Sequence, residues 1–178
     1  RTPLTAELME EIRNTCGNLV YYHDSDHLYP ISPYRMKIAR NEMQDIMDEI
    51  SRTDKLSRDA FRKSERIIEE ILQDLITNNI DALKLLKDMK DEDDYVYNHS
   101  VNVGILSAVF ALKLGNLSQE EVKQVALVGY LLDIGLMKLD KQLLVKEGRY
   151  NISDMQRMKR HPQLGYELLK VLRRMHPV

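Results

Sequence analysis

The sequence predicts an all-α protein, and three observations carry that prediction. Apolar residues recur at three- and four-residue spacings over most of the 178-residue chain. Glycine and proline are scarce, seven and five, while Leu, Ile, Met, Glu and Lys, which suit helices, are abundant. No stretch alternates apolar and polar residues as a half-buried strand would.

Taken in order, a first helix is expected from Thr5 to Tyr21, with Leu8, Ile12 and Leu19 among its apolar positions. Tyr22 to Pro33 breaks the pattern. Within it, His23-Asp24-Ser25-Asp26-His27 holds two imidazoles and two carboxylates, but at no spacing typical of a metal site, and it reads as a polar loop. Ser32-Pro33 then combines a capping hydroxyl with a proline at the first helical position. The helix it opens should carry Met36, Ile38, Met43, Ile46, Met47 and Ile50 on its buried side. A longer helix is expected from Ser57 to Thr77. Ile67, Ile68, Ile71, Leu72, Leu75 and Ile76 form its apolar stripe, and Glu65, Glu69, Glu70 and Asp74 stay wet. Asn78-Asn79 ends it, and a short helix from Asp81 to Met89 leads into an acidic stretch.

From Val96 onward, Val96, His99, Val103, Leu106, Phe110 and Leu114 share one helix face, so that face is expected to be buried. Gly115 and Asn116 stop the helix. Ser118-Gln119-Glu120-Glu121 is a capping box that starts the next, from Gln119 to Leu132, apolar nearly all round after Val122 and expected at the centre of the bundle. After Gly135 come a short helix or turn from Leu139 to Lys146 and a further helix opened by the box Ser153-x-x-Gln156. That helix must stop near His161-Pro162, and a last one carries Leu164, Leu168, Leu169 and Leu172.

The length allows one substantial core, or a domain with a smaller helical appendage. A net charge of −2 supplies no overall field for a nucleic acid polymer or an anionic membrane, and no apolar run is long enough to cross a bilayer. The lone Cys16 excludes an internal disulfide, in keeping with a reducing compartment; a cytoplasmic location is expected. Charge is uneven all the same. Asp88 to Asp94 is mostly acidic, and Arg157 to Arg174 holds six basic residues, Arg157, Lys159, Arg160, Lys170, Arg173 and Arg174, which read as a solvated face or as a groove for phosphates. Because the chain starts at Arg1 without a methionine, it is expected to be a fragment or a processed chain.

Three separated polar residues stand out against this apolar pattern. Asp133 ends the apolar run that starts at Val122, where an ionised carboxylate loses hydration and needs a metal, a cation or several hydrogen bonds; alternatively it faces water at the helix end. His99 shares a face with apolar residues, which suits either a hydrogen-bonded core histidine or a metal ligand. His161 precedes the proline that opens the last helix.

The order and surroundings of His99, Asp133 and His161 resemble the HD superfamily of metal-dependent phosphohydrolases, and more narrowly the HD-GYP family that hydrolyses cyclic di-GMP. Tyr95 to Val103 looks like that family's first histidine helix. Leu144-Val145-Lys146-Glu147-Gly148 is similar to its Leu-x-Lys-Pro-Gly loop, and His161-Pro162-Gln163-Leu164-Gly165 matches its His-Pro-x-x-Gly helix. The resemblance covers Asp91 to Leu172. It implies an HD-type helical bundle over residues 81–178, with residues 1–80 as a helical extension serving as scaffold, dimerisation surface or sensor remnant. It also implies two divalent metals, iron or manganese, with His99, Asp133 and His161 among the ligands and Lys146 as a candidate phosphate-facing cation.

Three positions depart from the pattern. Where the signature reads His-Asp-x-Gly-Lys, this chain has Leu132-Asp133-Ile134-Gly135-Leu136, and Asp140 stands where a proline is expected. The chain also reaches Val178 before the family's paired histidines, final aspartate and Gly-Tyr-Pro loop, so the domain is expected to be incomplete at its C-terminus. A leucine in place of a ligand leaves an apolar wall where a metal needs a lone pair. Losing the lysine removes a transition-state contact of a kind worth roughly 2.7 to 4 kcal/mol. The resemblance therefore implies a degenerate domain with little or no hydrolysis and a vestigial or partial site, acting through cyclic di-GMP, a protein partner or a homodimer. Two alternatives stand beside it: an active metal-dependent phosphodiesterase with an altered site, and a regulatory module of the HDOD kind. If the helix continues past Asp133, Leu132 and Leu136 pack together in the core, and Leu132→His is expected to cost a few kcal/mol.

Overall fold

Ser32 starts the first helix as its sequence suggests: the hydroxyl accepts a hydrogen bond from the Arg35 amide, and Pro33 occupies the first turn. The computed structural model describes residues 31–77 and 95–174. The expected helix from Thr5 to Tyr21, Cys16, the His23 to His27 cluster and the short helix from Asp81 lie outside the described residues. Helix α1, Pro33–Thr53, ends at Asp54 in the left-handed conformation, and α2 covers Arg58–Thr77. There follow α3, Tyr95–Leu114, α4, Gln119–Leu131, a 3-10 helix over Ile134–Lys138, the short α5, Lys141–Leu144, α6, Ile152–Met158, and α7, His161–Arg174. Among the described residues there is no strand, and the architecture is an all-α bundle. No helix in them is long and apolar enough to cross a membrane.

One apolar cluster joins the two described stretches. Met43, Ile46, Met47 and Ile50 of α1 and Ile68, Ile71 and Leu72 of α2 are buried together with Val101 and Ile105 of α3 and Val122 and Tyr130 of α4. Residues 31–77 and 98–134 thus share a core, and α1 and α2 help to seat the end of α4 from which Asp133 emerges. Arg35 ties the two first helices at their margin, donating to Glu70 and, at 2.6 Å, to Asp74. All three side chains are partly solvated, so the network adds on the order of 1 kcal/mol or less per pair.

Helices α3 and α4 approach closely because two glycines remove side chains where they cross. A Cβ on Gly104 would stand 2.9 Å from the Tyr130 Cβ, and one on Gly129 would stand 2.6 Å from the Ser107 Oγ. The face of α3 that the crossing buries differs from the one its spacing indicates. Val101, Ile105, Ala108 and Val109 are in the core, whereas Phe110 and Leu114 are 67% and 69% exposed. The helix is apolar on several sides, so periodicity alone cannot choose among them; the close approach of α4 on the small-residue side does. Helix α4 is likewise not apolar-buried all round, since Val125 and Val128 face outward.

Local signals account for most helix starts. The Ser118 and Glu121 capping box forms reciprocally. The start of α6 shifts by two residues: Asn151, with Asp154 as its reciprocal partner, forms the box in place of Ser153 and Gln156. Asn is as good a cap as Ser, and the earlier box leaves Asp154 on the buried side of the turn.

Candidate functional site

Asp133 follows the last residues of α4 and precedes the 3-10 helix, with φ −102° and ψ 3°. Its side chain makes no cap for that helix and is only 13% exposed. Two imidazoles converge on it from different elements. His99 Nε2, from the first turns of α3, lies 3.7 Å from one carboxylate oxygen, and His161 Nε2, from the start of α7, lies 3.4 Å from the other. The fold therefore brings together His99, Asp133 and His161, residues 34 and 28 positions apart in sequence.

Neither distance is that of a hydrogen bond, which for nitrogen and oxygen runs from about 2.7 to 3.2 Å. The orientation of His161 explains part of this. Its Nδ1 is 2.8 Å from the Met158 carbonyl oxygen, which can only accept, so Nδ1 carries a proton. In the neutral ring Nε2 then presents a lone pair to the carboxylate, an arrangement suited to a shared cation.

The described residues around Asp133 do not complete a metal centre. Among the described residues, no group of three His, Cys, Asp or Glu side chains is placed to hold a metal ion. The donors at hand are two imidazoles and one carboxylate, each imidazole against a separate oxygen, and the residue beside Asp133 is Leu132. This set does not fit a two-metal centre, in which each ion needs about four or more donors.

The departures from the family pattern each have a structural setting. Helix α4 ends at Leu131, so Leu132 and Leu136 are not stacked on one continuing helix, and neither joins the apolar core. Both are half-buried, and Leu132 lines a groove. The turn after Leu131 places the two leucines on different elements, which corrects the expectation that they fill the core. Leu132→His should accordingly cost no more than about 1.5 kcal/mol, well below the 2 to 5 kcal/mol of a deleted buried leucine; thermal or urea unfolding of the variant checks it. Asp140 caps α5, accepting from the Gln142 amide at 2.9 Å, and pairs with Arg157 at 3.1 Å. Lys146 is engaged by Asp154. That ammonium, with the Asn151 amide, holds the Asp154 carboxyl below the usual carboxylate range.

One contact that positions the site was not singled out from the sequence. Gly135 meets the start of α7 so closely that a Cβ there would overlap the His161 carbonyl oxygen and the Gly165 nitrogen. The contact seats His161 opposite Asp133. Its only sequence signal is the presence of one glycine in each of the two motifs.

Comparison with known proteins adds two partial matches. Over 103 residues, 58% of the chain, it is 32% identical to the cyclic di-GMP phosphodiesterase PA4108 of Pseudomonas aeruginosa, of which the match covers 24%. Over 64 residues, 36% of the chain, it is 39% identical to the cyclic di-GMP phosphodiesterase response regulator RpfG of Xanthomonas campestris pv. campestris, of which the match covers 17%. The chain thus spans a quarter or less of the length of these relatives. No family model and no solved structure matches it.

Proposed function

We propose that the chain is a degenerate HD-GYP-type domain of cyclic di-GMP signalling, with little or no hydrolytic activity, that acts by binding a protein or a nucleotide. The observation that carries this reading is Leu132. It follows the last residue of α4, directly before Asp133, and faces an apolar groove, where the resembled signature has a metal-ligating histidine. Leu136 removes a second function from the same turn, the cation that would stabilise charge on a phosphate. That loss alone lowers a rate by roughly two to three powers of ten. The two relatives, both cyclic di-GMP phosphodiesterases by name, support the signalling context.

The test is direct. The purified chain, stripped of metal and reloaded with manganese or ferrous iron, is expected to show no metal-dependent hydrolysis of cyclic di-GMP above background. Turnover that disappears on stripping and returns on reloading overturns the reading.

A second reading has an observation of its own. His99 and His161 approach opposite oxygens of one carboxylate without hydrogen bonding to it, which favours an altered but active phosphodiesterase drawing further ligands from outside the described residues. That reading predicts bound metal in stoichiometric amount, and loss of it in Asp133→Ala.

A further inference from the structure

Helices α2, α4 and α7 enclose a groove of about 870 Å³. Its floor is apolar, formed by Phe61 of α2, Leu127 and Leu131 of α4, Leu132 just past the end of α4, and Leu169 and Leu172 of α7. At its edge Val128 of α4 is 71% exposed. The charged lining residues are Arg58, Arg62 and Lys170 against the single carboxylate of Glu65.

Cations thus outnumber carboxylates along this groove, whereas the chain as a whole carries a net charge of −2. Arg58 and Arg62 stand one turn apart on α2, a like-charge spacing that disfavours the helix, and among the described residues neither forms an ion pair. Among the described residues, Lys170 has Glu167, at 3.7 Å, and the face of the Tyr166 ring, 5.6 Å from its centre. Of the basic residues between Arg157 and Arg174, Lys170 lines this apolar groove. Arg58 and Leu172 also line a second cavity of about 500 Å³, together with Lys55, Glu167 and Lys138, the last paired with Asp54, so the surface suits an elongated occupant.

We propose that this groove docks an amphipathic helix of a protein partner with acidic flanks. Apolar side chains spaced i, i+3, i+4 and i+7 fill the floor, and carboxylates beside them meet Arg58, Arg62 and Lys170. The lining contains no Ser, Thr, Asn, Gln or His side chain, so it lacks the fixed polar groups that orient small ligands; its polar atoms sit on long side chains and a tyrosine. A twofold contact with a second copy over this groove would set the three cations against their own equivalents. The proposal deepens the reading of a binding domain and rests on it, but its test involves neither metal nor nucleotide. Failure here leaves the hydrolysis result standing, and the reverse is also true.

The probe is a fluorescein-labelled peptide about 20 residues long, long enough to be helical when docked, with leucines at the stated spacing and glutamates on its flanks. A control carries lysine in place of every glutamate. Anisotropy titration of the full chain is expected to show saturable binding of the acidic peptide, about tenfold or more tighter than the control and weakened by salt. The double variant Arg58→Glu with Arg62→Glu, both exposed positions, is expected to reverse that preference while retaining the thermal melt of the parent. Amide exchange should slow in residues 58–65 and 162–172 on binding. Equal or absent binding of both peptides overturns the proposal, as does a preference unchanged in the variant or protection elsewhere. Self-association through this groove, seen by sedimentation, or protection of the same amides by cyclic di-GMP, assigns it another occupant and also overturns the proposal.

Discussion

Gly135→Ala is expected to destabilise the protein by about 3 kcal/mol and to lower its melting temperature by roughly 6 to 12 °C. The new methyl group would overlap the His161 carbonyl oxygen and the Gly165 nitrogen and stand 3.0 Å from the Gly165 Cα. All three are main-chain atoms of a helix, so no side chain can rotate away to make room. Relief requires α7 to move as a body. Since His161 opens α7 and its carbonyl is the nearest obstacle, the same movement pulls its imidazole from Asp133. Chemical shifts of the His161 ring should change in the variant even at temperatures where it remains folded. Gly165→Ala is the control. Its Cβ would meet only Gly135 and Ile134 atoms at 3.5 Å and beyond, ordinary contact distances, and alanine favours a helix. A change within about 1 kcal/mol of the parent is expected there. A Gly135→Ala protein that melts with the parent would show that the close approach of the 3-10 helix and α7 does not exist.

Removing the Tyr130 ring should have a comparable effect on stability: Tyr130→Ala is expected to cost about 3 to 5 kcal/mol. The side chain has no exposed surface, is among the largest fully buried groups, and its hydroxyl donates to the Ala39 carbonyl at 2.8 Å, joining α4 to α1. Tyr130→Phe keeps the ring and loses the hydrogen bond, for about 1 kcal/mol. The phenol also makes a pH prediction. Burial, with a smaller contribution from the Glu42 charge, pushes its pKa well above the ordinary value of 10.0. The unfolded chain therefore releases the phenolic proton first as pH rises. Stability from this group is complete below about pH 10 and falls above it, by up to about 1.4 kcal/mol per pH unit, until the folded phenol also ionises. Tyr130→Phe should flatten that alkaline decline by one proton's worth in urea melts between pH 9 and 11. An unchanged slope would mean that the phenol is not buried as described.

The helices themselves could be read from local chemistry. Ser32-Pro33 and the Ser118 and Glu121 box start helices where caps of that kind should, and the expected stripe of α2 is buried at Ile67, Ile68, Ile71, Leu72 and Leu75, while Ile76, near the helix end, is 47% exposed. These signals are legible because a cap or a stripe needs only neighbours within one or two turns. The approach of His99 and His161 to Asp133 rests on order and resemblance, since three residues on three elements have no common local pattern.

Other features depended on which helix approached which. Val101, Ile105 and Ala108, not the His99, Val103 and Phe110 face, became the core side of α3, because Gly104 and Gly129 admit α4 at that side. Leu132 went to a groove and not to the core, because α4 stops one residue before it. Lys146, whose sequence context pointed to phosphate, is engaged by Asp154 across the turn that opens α6. By itself the sequence determined an all-α chain, most of its helix boundaries, and the leucines that replace a ligand and a cation beside Asp133, because those are written in caps, periods and residue identities. The tertiary structure decided the faces, the seating of His161 through Gly135, and the cationic groove beside Leu132, because these arise only when surfaces remote in sequence meet.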